Sequence, residues 1–487
     1  MKLDELLTKL NYELINGDTS IEINRIVYDS REKVMRGDVF VCICGAVFDG
    51  HDYINAVAAD GASAVIVERD IEITDELSEL TVIRTANTRL ALALMSAAFF
   101  GNPAEELFTV GITGTKGKTT TACMVREILE KCGIHTGLIG TIETIIGDEH
   151  IPSVNTTPES YKIHEYFRRM ADAGCKCVVM EVSSQALKLD RTAGINFDIG
   201  VFTNLEPDHI GPNEHDSFED YMRCKGILFR QCKTGIVNSD SEHAKEVLEG
   251  HTCEVETYGL NEGAELSAGN ISYIHNGGNF STSYDVSGAL KLHVELTLPG
   301  LFSVYNSLCA IAVTRHFKVS DGLLLKALYE VKVEGRVEPV KVSDDFIVMI
   351  DYAHNAMSLE SLLTTLKEYE PKRIVTVFGC GGNRSKDRRF EMGEISGRMS
   401  DFTVITSDNP RTEEPEDIMR DIETGIQRTD GKYIKIADRA EAVRYAVSAG
   451  QPGDIIVIAG KGHEDYQEIK GVKYHMKDRE LVEAAAK

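Results

Sequence analysis

The sequence predicts an α/β protein of three domains: an N-terminal α/β domain, a central phosphate-loop domain on a parallel sheet, and a Rossmann-like C-terminal domain. Three observations predict this. The 487 residues suffice for about three domains at ~150 residues each. Short apolar strands alternate with helical stretches, a pattern that argues parallel sheets covered by helices on both faces. Residues 111–121, GITGTKGKTTT, read as strand end, Gly-rich turn, Lys-Thr and helix start. That is the context a phosphate-binding loop needs.

Residues 1–103 form the first domain. Residues 1–14 pattern as a helix, and residues 21–45 as short strands with turns at Asp29-Ser30-Arg31 and Arg36-Gly37-Asp38. Residues 51–68 read as helix, Gly turn and strand, and TRLALALMSAAFF as a long apolar helix. Gly101-Asn102-Pro103 ends that helix and marks a boundary. The central domain spans 104–334, with strands at LFTVGIT, HTGLIGTIE, CKCVVMEVSS, IGVFTNL and TGIVNS. Residues 252–298 are polar and Gly-rich and read as an antiparallel insertion, after which GLFSVYNSLCAIAVTRHF resumes as a helix. The C-terminal domain spans 335–487. Its four strands, in FIVMIDYAHN, RIVTVFGCGGNR, DFTVITSDNPR and DIIVIAGKGHEDY, each end in a polar turn. Ligands of open α/β sheets sit at such carboxyl ends, so this domain is expected to bind one.

Composition narrows the function classes. The hydrophobic fraction of 43% with 26% charged residues is that of a soluble globular protein. No apolar run approaches the ~20 residues of a membrane span, and the N-terminus does not pattern as a signal peptide. A net charge of −25 disfavours nucleic acid and anionic membrane surfaces as partners. Anionic ligands must then meet local basic clusters. The eleven cysteines contain no CxxC pair, so free thiols in a reducing cytoplasm are expected rather than zinc or disulfides.

Several residues point to chemistry. In the loop, Gly114, Thr115, Lys116 and Gly117 let backbone N–H groups close around phosphate oxygens, and the helix beginning near Thr119 and Thr120 adds its dipole. Lys118 is placed to reach the β- and γ-phosphates of ATP, and Thr119 to put its hydroxyl on Mg²⁺. Ile112 stands where the generic pattern has its first glycine. Glu181 ends an apolar strand, the usual position of the Mg²⁺ carboxylate in such domains. Ser183 and Ser184 follow it. His209 comes just after another strand and reads as a metal or acid–base group, or as a solvated histidine. Lys225, in FEDYMRCKGILFR, reads by itself as a solvated helix lysine. Arg384 lies in a basic turn, and Asp408-Asn409-Pro410-Arg411 sets an arginine beside a carboxylate. The pair can grip an amino acid, or it is a charged surface turn.

The motifs GTKGKTT, MEVSSQAL, FTNLEPDHI, CKGILF, GRVE, DYAHN, FGCGGNR, DNPRTEEP and AGKGHEDYQ occur in that order along nearly the whole chain. In this the chain resembles the Mur ligases, which extend the peptide of the peptidoglycan precursor. The loop alone says only nucleotide triphosphatase. The resemblance implies one domain for the UDP end of the substrate, one for ATP and one for the incoming amino acid. It implies that Ser30, Asn155, Thr156, Thr157, Ser183 and Arg191 hold UDP-MurNAc-L-Ala-D-Glu. Asn306, Arg336, Asp351 and His354 match nucleotide contacts, and His209 a histidine near the metal. Lys225 matches a lysine that the family carbamylates, which makes it an anion able to hold a second Mg²⁺. DNPR implies meso-diaminopimelate as the added amino acid, with Arg411 on its distal carboxylate. Arg384, Asp408, Asn409, Pro410, Gly460 and Glu464 match the rest of that pocket.

Three positions depart from the family's pattern: Ala356, Gln185 and Asn383 stand where proline, histidine and aspartate are usual. The alternatives are the same reaction with lysine or another diamino acid, a folylpolyglutamate-synthetase-like ligase, and a regulatory phosphate-loop ATPase.

Overall fold

The computed structural model describes residues 1–45, 48–208, 210–211, 214–276 and 279–486. They gather into two compact units: Met1–Glu265 with Cys309–Val319, and Leu266–Leu308 with Ser320–Lys487. Among the described residues no helix is long and apolar enough to cross a membrane.

The first unit holds two sheets. The N-terminal one is built from β1 (Glu13–Asn16), β2 (Arg25–Val27), β3 (Asp38–Val41), β4 (Ala64–Val67) and β5 (Thr81–Arg84), in the order β1-β5-β4-β3-β2. All its pairs are parallel except β1 with β5. The helix expected over residues 1–14 is a single turn, Leu3–Leu6. Thr8 Oγ1 donates to the Asp4 and Glu5 carbonyls at 3.3 and 2.8 Å, and Glu13–Asn16 then pairs with β5. Tertiary pairing overrides the helical pattern here. The apolar helix Thr88–Phe99 forms as expected, capped by Asn87.

The second sheet of this unit comprises β6 (Phe108–Thr113), β7 (Thr136–Ile139), β8 (Glu143–Ile146), β9 (Glu149–Pro152), β10 (Cys177–Glu181), β11 (Phe197–Phe202), β12 (Cys232–Asn238) and β13 (Glu254–Gly259). Within the unit their order is β13-β12-β11-β6-β10-β7-β8-β9. The run from β13 to β7 is parallel. β6 and β10 are buried almost throughout, as parallel strands covered on both faces must be. The single strand expected at HTGLIGTIE divides at Gly140, whose N–H bonds the Glu143 carbonyl at 3.1 Å. β8 and β9 then turn back antiparallel.

In the second unit, β14 (Leu266–Asn276), β15 (Asn279–Gly288) and β16 (Leu292–Leu296) form the expected antiparallel stretch. The third sheet contains β17 (Glu338–Val340), β18 (Ile347–Asp351), β19 (Arg373–Phe378), β20 (Phe402–Ile405), β21 (Tyr433–Lys435) and β22 (Asp454–Ala459), ordered β17-β18-β22-β19-β20-β21. Only β17 runs antiparallel. Apolar clusters cover both faces. The four expected strands are β18, β19, β20 and β22, and their polar turns line one edge of this sheet. A hairpin, β23 (Tyr466–Ile469) with β24 (Val472–His475), follows.

One fully buried ion pair ties down the C-terminal helix Asp478–Ala485. Arg439 Nε and Nη2 each donate to Asp478 at 2.7 Å, and both side chains are 0% exposed. Arg439 also donates to the Ser407 and Ala459 carbonyls, so the guanidinium is nearly satisfied. Asp478→Ala leaves a buried, unpaired cation and is expected to lower unfolding stability by about 3–5 kcal/mol in urea titrations.

Candidate active site

The phosphate loop joins β6 to the helix Lys118–Lys131. Gly114 has φ +149°, and a Cβ there would lie 1.9 Å from Thr203 Oγ1, so only glycine fits. Gly117, φ +85°, starts the helix, and Thr120 sits half-buried in its first turn. The end of β11 straps the loop. Thr203 Oγ1 donates to the Lys116 carbonyl at 2.7 Å, Asn204 Oδ1 accepts from the Lys116 N–H at 2.8 Å, and the Asn204 carbonyl accepts from the Thr115 N–H at 2.9 Å. Thr115 Oγ1 lies 3.1 Å from the Tyr221 hydroxyl.

Two lysines meet on one loop carbonyl. Lys118 Nζ donates to Gly114 O at 2.9 Å and to Thr115 O at 3.1 Å. Lys225 Nζ donates to the same Gly114 O at 2.8 Å and lies 4.4 Å from the Tyr221 ring centroid. Lys225 is fully buried, so the solvated-lysine reading of its helix is wrong. Burial first, and the Lys118 charge second, push its amine well below the usual lysine range.

Glu181 is buried at the end of β10. Its carboxylate accepts from Thr119 Oγ1 at 2.9 Å, from the Thr141 N–H at 2.8 Å and from Thr141 Oγ1 at 3.0 Å. Thr119 and Glu181 together offer hard oxygen donors of the kind Mg²⁺ takes. A Cβ at Gly140 would lie 2.6 Å from Glu181 Oε1, so the hairpin backbone closes on this carboxylate. Thr141 was missed in the sequence, since nothing in a hairpin 40 residues away marks it. His209 lies outside the described residues.

Thr156, Thr157, Ser183 and Arg191 are brought together beside Glu181. Thr156 Oγ1 is 3.0 Å from Thr141 Oγ1. Thr157 Oγ1 donates to the Glu181 carbonyl at 2.8 Å and accepts from the Ser183 N–H at 3.0 Å. Arg191 Nη1 donates to the Thr157 carbonyl at 3.0 Å, and its Nε lies 3.3 Å from Glu159. Ser30, in the turn after β2, and Asn155, exposed on the 153–157 turn, do not enter this network.

The remaining residues lie in the second unit. The buried Asp351 carboxylate accepts from the Val337 and Ala353 N–H groups, both at 2.8 Å. Burial raises its pKa, against the opposing pull of Arg336 and these donors. The Arg336 guanidinium lies 4.9 Å from the Tyr352 ring centroid, and His354 Nδ1 donates to the Tyr352 carbonyl at 2.9 Å. Asn306 is buried on the helix Leu301–Thr314.

At the ends of β20 and β22, Asp408 Oδ1 accepts from the Asn409 N–H at 2.6 Å. A Cβ on Gly460 would lie 2.8 Å from Asp408 Oδ2. Asn409 Nδ2 donates to Glu464 at 2.8 Å, and the buried Lys461 donates to Asn409 and Glu464, each at 3.2 Å. Arg411, φ +53°, donates from Nη1 to the Gly382 carbonyl at 3.0 Å and faces Glu468. A Cβ on Gly382 would meet the Pro410 carbonyl at 1.9 Å, which fixes the spacing of the two turns. Arg384 is exposed on the first of them. Sequence reasoning missed Lys461, although it stands inside the GKGHE motif.

The loop geometry gives a direct test. Gly114→Ala is expected to cost about 1–3 kcal/mol of stability, from backbone strain and the clash with Thr203. Thr203→Ala in the same chain should recover part of this in urea titrations.

Residues 22–100 match the family described as Mur ligase family, catalytic domain. Residues 112–314 match the Mur ligase middle domain, and residues 335–462 the Mur ligase, glutamate ligase domain. The chain is 43% identical over 486 residues to UDP-N-acetylmuramoyl-L-alanyl-D-glutamate--2,6-diaminopimelate ligase 2 of Clostridium acetobutylicum, covering 99% of each. It is 40% identical over 489 residues to the corresponding ligase of Clostridium perfringens, again over 99% of each. A solved structure of a ligase of that name superposes with a TM-score of 0.73 at 27% identity, covering 100% of this chain and 98% of the other. Matched end to end and built on three α/β sheets, the chain belongs to the Mur ligase family.

Proposed function

We propose that the chain is an ATP-dependent ligase that joins meso-2,6-diaminopimelate to the D-glutamate of UDP-MurNAc-L-Ala-D-Glu. The observation that carries this reading is the near-full-length likeness to ligases named for that substrate pair. The D-glutamyl γ-carboxylate attacks the γ-phosphate of ATP, ADP departs, and an acyl phosphate forms. The amino group of diaminopimelate then attacks the acyl carbon, phosphate leaves, and the nitrogen loses its proton. Lys118 exchanges its loop carbonyls for β- and γ-phosphate oxygens, while the amides of Gly114–Thr120 hold the chain of phosphates. Thr119 and Glu181 would hold Mg²⁺, which when bound neutralises charge on those oxygens. Asn306, Arg336, Asp351 and His354 take the nucleoside end. Ser30, Asn155, Thr156, Thr157, Ser183 and Arg191 take the muramoyl-dipeptide.

Three domains divide this work at 1–103, 104–334 and 335–487. The amino acid fits the turn around Asp408–Arg411. Asp408 and Glu464 pair its ammonium, and Arg384 and Arg411 its carboxylates. Lysine lacks the distal carboxylate, so it offers Arg411 no partner beyond Glu468 and the Gly382 carbonyl, which favours diaminopimelate.

Lys225 is a good substrate for carbon dioxide, because carbamylation needs a neutral amine and burial favours that form. Labelling with ¹³C-bicarbonate is expected to give one carbamate signal that Lys225→Ala abolishes, together with most turnover.

Phosphate release with Mg·ATP and UDP-MurNAc-L-Ala-D-Glu, with meso-diaminopimelate or L-lysine at equal concentration, tests the reaction. Release with diaminopimelate alone, falling at least about 100-fold in Arg411→Ala, is the expected outcome. Equal release with lysine removes Arg411 as selector. Bound ATP without release for either amino acid points to a regulatory ATPase.

A further inference from the structure

Helix Phe218–Gly226 holds more than the phosphate loop. Its Asp220 Oδ2 lies 3.0 Å from His215 Nδ1, and His215 Nε2 lies 2.9 Å from Ser184 Oγ. Both His215 and Ser184 are buried. Asp220 also accepts from Lys188 Nζ at 2.8 Å and Arg223 Nη2 at 2.6 Å. Burial alone would raise the Asp220 pKa, but the hydrogen bonds from Lys188, His215 and Arg223 outweigh it and keep the carboxylate ionised. An ionised carboxylate can only accept, so the imidazole proton sits on Nδ1. Burial lowers the His215 pKa and favours the neutral ring, so Nε2 is an acceptor and the Ser184 hydroxyl donates to it. Cys224 Sγ stands 3.7 Å from Asp220, and the three groups are close enough to suggest a metal site. Both His215 nitrogens are already engaged, which makes the arrangement a hydrogen-bond relay.

The relay sorts two adjacent serines. Ser183 Oγ accepts from the Ala186 N–H at 3.1 Å, which leaves its own proton for a ligand. Ser184 spends its proton on His215. Tyr221, the neighbour of Asp220, reaches Thr115 and stacks edge-on against His215 with centroids 5.1 Å apart.

We propose that His215 is a positioning residue for the muramoyl-dipeptide. With Asp220 it locks Ser184, and so sets the Ser183 hydroxyl to donate to a substrate carboxylate. The proposal rests on the ligase reading given above.

Steady-state phosphate release by the full chain tests it, with KM measured separately for ATP and for UDP-MurNAc-L-Ala-D-Glu. Ser184→Ala and His215→Leu are each expected to raise the KM for the dipeptide substrate about tenfold, the scale of one hydrogen bond, with less than about twofold on ATP. His215→Gln keeps a donor for Asp220 and an acceptor for Ser184, and should stay within about threefold of the parent. The double variant should be no worse than Ser184→Ala, because both act through one contact. Equal losses for His215→Leu and His215→Gln, or equal effects on the two KM values, overturn the relay. Ser184→Ala removes only a hydroxyl and supplies the test should His215→Leu fail to fold. Parent-like kinetics in these variants overturn the relay alone, whereas a parent chain inactive on this substrate overturns the ligase reading and the relay together.

Discussion

The Gly114 carbonyl is the point on which the first unit's chemistry turns. It accepts from Lys118 and Lys225 together, at 2.9 and 2.8 Å. Burial penalises the charged form of the deeper Lys225, and the nearby Lys118 charge adds to the effect. Together these push the Lys225 amine well below the usual lysine range. One carbonyl oxygen thus fixes both lysine side chains, and the backbone conformation that Gly114 allows brings that oxygen into place.

Around this point the site is built by reuse of a few elements. The end of β11 straps the loop through Thr203 and Asn204, the end of β10 supplies Glu181, and the turn after it supplies Ser183. Helix Phe218–Gly226 reaches the loop through Tyr221 and Lys225, and the helix after β10 through Asp220, which accepts from Lys188. Each strand end contributes one or two groups, as expected where parallel strands deliver their carboxyl ends to a common edge. The second unit follows the same rule with β18, β20 and β22.

The fold was legible in the sequence wherever strands were apolar throughout. β6, β10, β18, β19 and β22 are buried on both faces, and their Val- and Ile-rich runs announce it. The N-terminal helix was misread because the pairing of Glu13–Asn16 with β5 is a contact across 70 residues, invisible to local periodicity. Among site residues, Lys118, Thr119 and Glu181 were legible from spacing. Lys225 was legible only through the resemblance, because its burial depends on the whole sheet. Thr141 acts on a partner 40 residues away, so no local signal carried it, whereas His215 and Lys461 each join a partner near in the chain, Asp220 and Glu464, to one far along it, Ser184 and Asn409.

Gly140 has a wider meaning than its turn. With Glu181 Oε1 only 2.6 Å from where a side chain would begin, any larger residue at 140 would push against the carboxylate that Thr119 and Thr141 hold. Any lineage that enlarges residue 140 must also re-aim its acid, so the hairpin becomes a silent guardian of the oxygen geometry beside Thr119.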